Sequence, residues 1–248
     1  MGRDLDLFVL TESAKVDALL VEALNASPIK RNFSNRLDGT VCYKIARYEA
    51  PLDVHYRRLG SLGEHGGLLE TILKNSKEIG IAGGKFQAPS PEDQMILQAM
   101  QRVYGRRPIR ISDIVYAISS LRKDDLDWDY LIKSTNQLGI FHGLCCYLSY
   151  VDQIHFEIFQ KDLLPSELRN SLILDGWGKM QFEDPYYTIP NLRVAGWLYS
   201  KKLQTLLLSG DFDATSRLCM TPLAAIASVM RKTSQALNQA YSTSRTFE

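Results

Sequence analysis

Arg3-Asp4-Leu5-Asp6-Leu7-Phe8-Val9-Leu10 sets two aspartates two residues apart on an apolar segment that reads as a strand. Side chains alternate faces along a strand, so Asp4 and Asp6 project the same way, with Cβ atoms roughly 6–7 Å apart. Two anionic groups aimed at one point, with no nearby lysine to neutralise them, repel each other unless something positive sits between. A divalent metal ion is the simplest such group. The run Leu7-Phe8-Val9-Leu10 predicts a buried strand rather than an edge one. The competing reading is that the two acids coat the solvent face of an edge strand, as charged residues do elsewhere.

A third acid belongs with the first two. In Ala50-Pro51-Leu52-Asp53-Val54-His55-Tyr56, alternation puts Leu52, Val54 and Tyr56 on one face and Asp53 and His55 on the other. If this strand pairs beside the first, three carboxylates converge. Such a trio holds two Mg²⁺ ions about 3.5–4 Å apart, which orient a triphosphate and lower the pKa of an attacking hydroxyl. His55 is a candidate contact to nucleotide or metal, or else a polar rim residue. Arg57 continues the alternation and either counters phosphate charge or is solvated.

Around these strands the pattern is that of a small α/β unit. A strand over Leu5–Leu10 is followed by helical spacing over Ser13–Leu24, then short strands over Ile29–Phe33, Val41–Ala46 and Leu52–Tyr56. Glycines 60, 63, 66 and 67 break the pattern before a helix over Leu68–Asn75, and Gly80, Gly83 and Gly84 mark a turn-rich linker. No Gly-Lys-Ser/Thr follows the first glycine run, so it reads as a turn leading into a helix rather than a phosphate loop. From Pro89-Ser90-Pro91-Glu92-Asp93 onward the chain turns helical, with Ser90 an N-cap and Pro91 at the first helical position. Helices are expected over Pro91–Tyr104, Ile111–Leu121, Trp128–Leu138, Phe141–Ile154, Pro165–Leu174, Leu192–Leu208 and Pro222–Tyr241, with loops around Asp175–Pro190 and Gly210–Thr221. The expected fold class is α+β, a small mixed β-sheet core over residues 1–88 followed by an all-α helical domain over residues 89–248.

Composition narrows the function classes. With 248 residues, 45% of them apolar, and a net charge of +1, the chain suits an ordinary globular protein rather than a strongly electrostatic nucleic-acid binder. Arg102, Arg106, Arg107 and Arg110 cluster, but Tyr104 alone is interleaved with them, a poor nucleic-acid surface. Cys42, Cys145, Cys146 and Cys219 lack CxxC spacing, which suits neither a zinc site nor a disulfide framework and points to a reducing cytoplasm. His65, His142 and His155 have no partners at metal-ligand spacing and are assigned structural roles. Asp4 and Asp6 stand where a signal peptide needs an apolar core, and no apolar run approaches spanning length, so no membrane partner is expected.

The Arg-Asp-Leu-Asp-Leu-Phe-Val run, the Leu-Asp-Val-His strand and the Pro-Ser-Pro-Glu-Asp-Gln helix start resemble the uncharacterised nucleotidyltransferases of the polymerase-beta-like superfamily. The likeness spans roughly residues 3 to 155 and takes in Ile111-Ser112-Asp113-Ile114 and Asp127-Trp128-Asp129-Tyr130-Leu131. It implies a nucleotidyltransferase-like core followed by helices. It further implies that Asp4, Asp6 and Asp53 bind Mg²⁺ and that Asp53 also helps deprotonate the acceptor hydroxyl; Arg3, His55 and Arg57, beside these acids in the sequence, are the candidate substrate contacts. The activity implied is transfer of a nucleoside monophosphate from a nucleoside triphosphate such as ATP to a hydroxyl of a small molecule, a protein or an RNA. The superfamily also places a Gly-Ser turn about ten residues before the Asp-x-Asp pair, where this sequence has Met1, Gly2 and Arg3. Either the true start lies upstream, or the phosphate cradle is lost and the chain is a catalytically degenerate binding protein.

Overall fold

Alternation along the strands decides which way the sheet faces. The computed structural model describes residues 5–11, 13–29, 39–46, 48, 50–105, 109–123, 126–166, 169 and 192–223. Strand β1 (Leu5–Val9) pairs in parallel with β4 (Leu52–Tyr56), which pairs antiparallel with β3 (Thr40–Ile45), itself antiparallel to β2 (Ala26–Pro28). The order is therefore β1-β4-β3-β2, a small mixed sheet. Val41, Tyr43, Leu52 and Val54 lie on one face and are buried against Val16 and Leu20 of helix α1 (Ser13–Leu24). Each such side chain contributes about 1.5–3 kcal/mol by leaving water, which holds the sheet with one face covered. Beneath the sheet, the Tyr43 and Tyr56 hydroxyls both donate to Asp17 of α1 and tie the helix to the two central strands.

Two strand expectations are corrected. β1 forms an edge of the sheet, and Leu5 is 66% and Leu7 39% exposed, because the core under α1 draws on β2, β3 and β4 and leaves both leucines out. The presumed linker around Gly80–Gly84 is a hairpin, β5 (Lys77–Ile81) and β6 (Gly84–Ala88). Its two-residue turn, Ala82-Gly83, takes positive φ at both positions, 49° and 82°, the turn geometry whose twist matches paired strands. The glycines that looked like breakers are the means of reversal. The strand expected over Ile29–Phe33 lies mostly outside the described residues, and the observed β2 ends just before it.

Helices then follow: α2 (Leu68–Asn75), α3 (Pro91–Ala99), α4 (Ile111–Leu121), α5 (Trp128–Gln137), α6 (Phe141–Phe159), α7 (Leu192–Leu208) and α8 (Phe212–Cys219). Ser90 caps α3 by accepting from the Asp93 amide at 3.2 Å. After Ala99 the winding widens to a π-helical turn over Met100–Tyr104. Such turns mark places where a side chain is re-aimed, often at functional sites. Helix α8 falls where a loop was expected, and Asp211 caps it by accepting from the Ala214 amide at 2.9 Å. The helices expected over 165–174 and 222–241 lie mostly outside the described residues.

The second core is built on Met95, Ile96, Leu131, Leu144, Tyr147 and Leu148, joined by Leu59, Leu69 and Ile72 from the segment between the sheet and the hairpin. Phe8 packs against this core from the sheet, so the face of β1 that carries Asp6 looks toward the helices. Among the described residues no helix is long and apolar enough to cross a membrane.

Candidate active site

Asp6 and Asp53 are paired positions on the parallel strands β1 and β4. In-register neighbours on adjacent strands point their side chains to the same side, roughly 4.8 Å apart along the hydrogen-bonding direction. Both line a cavity of about 280 Å³ between the uncovered sheet face and the π-helical turn. His55, two residues beyond Asp53, shares that face. Its Nε2 lies 3.0 Å from Asp6 Oδ1 and its Nδ1 lies 3.2 Å from Thr40 Oγ1. A Thr40 hydroxyl donating to Nδ1 leaves Nε2 protonated and donating to Asp6, so the ring fixes the carboxylate's direction. Phe8 lies against the ring, with centroids 5.2 Å apart.

The far wall comes from two distant parts of the chain. Leu59, Gly60, Ser61 and Glu64 enter from the glycine run, and Lys202 enters from α7. Glu64 and Lys202 form an ion pair, Nζ to Oε1 at 2.6 Å, with both side chains only 2% exposed. Glu64 Oε2 accepts from the Leu62 amide at 2.9 Å, closing the turn. Burial pushes the Glu64 carboxyl upward, but the Lys202 ammonium, with help from His65 once strong acid has protonated it and from the Leu62 amide, outweighs it and holds the group at about 2. His65 is driven the other way. Burial, then the Lys202 charge, lower it to about 3 against the pull of Glu64, so it is neutral. Gly60 makes the seat for Glu64: at φ +105°, a Cβ there would meet the Glu64 carboxyl carbon at 2.4 Å. Lys202 also lies 5.0 Å from the Tyr104 ring centroid, which adds a cation–π contact at the end of the π-helical turn.

Of the residues singled out from sequence, the structure brings Asp6, Asp53 and His55 to one cavity. Arg57 stands apart. Its φ of +60° ends the strand alternation, and its Nε donates to the Leu10 carbonyl at 2.9 Å. Arg3 and Asp4 lie outside the described residues. Sequence reasoning missed Thr40, Glu64 and Lys202. Thr40 had a signal in the alternation of β3, whereas Lys202 sits within an amphipathic helix and its partner lies in a glycine-rich turn, with no spacing to join them. Arg102, part of the basic cluster, is buried in a 2.7 Å ion pair with Asp113, and His155 is held by Lys161 O at 2.8 Å and Arg122 at 2.9 Å. A larger groove of about 800 Å³ between α4 and α6 is lined by Ile111, Ile114, Val115, Ile158 and Phe159, and no carboxylate or imidazole is among its described lining residues. Asp6, Asp53 and His55 lie together in the smaller cavity.

The sequence profile of an uncharacterised nucleotidyltransferase family matches residues 1–155, which takes in the whole sheet, the glycine run, the hairpin and the helices through most of α6. No curated protein and no solved structure matches the chain.

Proposed function

Since the chain belongs to this uncharacterised nucleotidyltransferase family, we propose that it transfers a nucleoside monophosphate from a nucleoside triphosphate to a hydroxyl of an acceptor, with Mg²⁺ as the required ion. The observation that carries the reading is the in-register placement of Asp6 and Asp53 on the wall of a cavity that also holds His55. Carboxylate oxygens are the hard donors Mg²⁺ takes. Among the described residues no group of three or more His, Cys, Asp or Glu is placed to hold a metal ion. Two carboxylates are nevertheless the protein share Mg²⁺ commonly uses when phosphate oxygens and waters complete its shell. Asp6 and Asp53 would hold the ion, and the sequence motif adds Asp4. Bound there, Mg²⁺ supplies charge neutralisation along the triphosphate and acidifies a neighbouring hydroxyl.

The chain's own groups account for the remaining steps. The acceptor oxygen forms a bond to the α-phosphorus, the bond from that phosphorus to the bridging oxygen of the β-phosphate breaks, and pyrophosphate leaves with the electron pair. Asp53 takes the acceptor proton. His55, steadied by Thr40, keeps Asp6 aimed at the site. Leu59, Leu97, Met100 and Tyr104 give the cleft an apolar side, and apolar walls strengthen the charge interactions beside them.

Calorimetric titration of the full chain with Mg²⁺ and each of the four nucleoside triphosphates tests the proposal, followed by release of labelled pyrophosphate with pooled acceptors. Metal-dependent triphosphate binding is expected. Absence of binding with every nucleotide would overturn the reading, and binding without turnover over a broad acceptor set would leave a nucleotide-binding protein in its place.

A further inference from the structure

We propose that Lys202 is the phosphate-binding cation of this cleft, and that its ammonium takes an oxygen of the nucleotide's triphosphate while keeping its bond to Glu64. The proposal rests on the nucleotidyl-transfer reading and extends it to a residue that the family match does not reach, since the match ends at residue 155.

Three observations converge on Lys202. The first is charge. Asp6, Asp53 and Glu64 all line the cavity, and Lys202 is the one lysine or arginine among its described lining residues. A triphosphate brings about four further negative charges into walls that are already acidic, and an ammonium is the compact, hydrated type of cation that proteins set against phosphate as a point charge. The second is valence. An ammonium has three N–H donors, and among the described residues Glu64 Oε1 is the acceptor the structure gives it. The remaining donors belong to a residue only 1% exposed that nevertheless lines the cavity, where a phosphate oxygen satisfies them. The third is support. Glu64 is held by the Leu62 amide and seated over Gly60, and the Tyr104 ring lies beside the ammonium, so Lys202 is fixed before any ligand arrives. A cation held in place gives up little side-chain freedom when phosphate binds. A pair that merely pinned the glycine turn to α7 has no need to border the cleft.

Removing Lys202 alone strands a buried carboxylate, so the decisive protein is the double variant Glu64→Gln/Lys202→Met, which removes both charges together. The probe is Mg²⁺-loaded inorganic tripolyphosphate, titrated into the full chain by calorimetry beside the nucleoside triphosphates, with circular dichroism and melting temperature as the check on folding. The parent and Lys202→Arg are expected to bind tripolyphosphate, and the folded double variant to bind at least tenfold more weakly. Glu64→Gln alone keeps the ammonium and an acceptor oxygen while removing a repelling charge, and is expected to bind several-fold more tightly. A folded double variant within twofold of the parent overturns the role of Lys202 and leaves the transfer reading standing. Should the double variant not fold, equal or weaker binding by Glu64→Gln overturns it instead. A parent that binds neither tripolyphosphate nor any nucleoside triphosphate overturns both proposals.

Discussion

Asp6 and Asp53 come from strands 47 positions apart in numbering, yet they are direct partners across the parallel pair of β1 and β4. Direct pairing is what makes the two useful, because residues opposite each other share a sheet face, and Leu52 and Val54 on either side of Asp53 take the face toward α1. Asp6→Asn and Asp53→Asn each remove a charge from a cavity wall, not from a core, so the fold should persist. Each is expected to reduce Mg²⁺-dependent triphosphate binding and turnover by about 100-fold or more, at or beyond the loss seen for residues that only support a metal ligand. Calorimetry on variants with unchanged circular dichroism checks this, and near-parental turnover in both would remove the carboxylates from the mechanism.

His55 and Thr40 should matter less and in order. The imidazole bridges Thr40 Oγ1 and Asp6 Oδ1 at 3.2 and 3.0 Å, so its work is to hold a carboxylate. His55→Ala frees Asp6, and an effect of about 10-fold on turnover is expected, while Thr40→Val loosens the ring at one remove and should cost less. Equal losses in the two variants, measured as kcat/KM with the same nucleotide, would contradict the chain of orientation from Thr40 through His55 to Asp6.

These residues also show which parts of the site could be read from sequence. Asp53 and His55 were legible because alternation in Leu52–Tyr56 separates buried Leu52 and Val54 from their neighbours within one short strand. Ser90 was legible as a cap because its partner, the Asp93 amide, is three residues away. Local periodicity carries no information about pairings that the tertiary fold creates. Glu64 meets Lys202 only after α7 packs on the glycine run, and nothing near either residue announces the other. β1 read as buried because an apolar run states what a strand is able to bury, whereas α1 leaves Leu5 and Leu7 uncovered. The hairpin at Lys77–Ala88 was obscured by its own glycines, which interrupt the strand pattern while permitting the turn.

Gly60 tests how far the site depends on the seating of Glu64. Its φ of +105° is a backbone state L-residues rarely adopt, and a Cβ would stand 2.4 to 2.7 Å from the atoms of the Glu64 carboxylate. Gly60→Ala should therefore cost about 1–3 kcal/mol of stability from backbone strain and push Glu64 off Lys202. Urea unfolding measures the first effect. The second appears as a rise in the KM for the nucleotide, if the ion pair shapes the cleft, with Gly67→Ala as the control because a Cβ there meets nothing within 4 Å.

Acid should unfold the protein in two stages that report on neighbouring residues. His65 is held at about 3 in the fold against an ordinary value of 6.5, so between those pH values the unfolded chain binds a proton that the native one refuses. Stability therefore falls as pH drops below 6.5. Glu64 is held at about 2 against 4.5, so the native carboxylate stays ionised where the unfolded one protonates. Its contribution is complete above 4.5 and is lost as pH falls toward 2. At about 1.4 kcal/mol per pKa unit, the two groups shift stability by roughly 3 to 5 kcal/mol each across their windows. Melting temperature followed from pH 7 to 3 should decline first with the histidine and then more steeply with both. His65→Gln is expected to flatten the curve between pH 6.5 and 4.5 while leaving the steeper fall below 4.5 in place. The double variant Glu64→Gln/Lys202→Met should do the reverse, and a His65→Gln protein that retained the full slope near pH 6 would show that another group is taking up the proton.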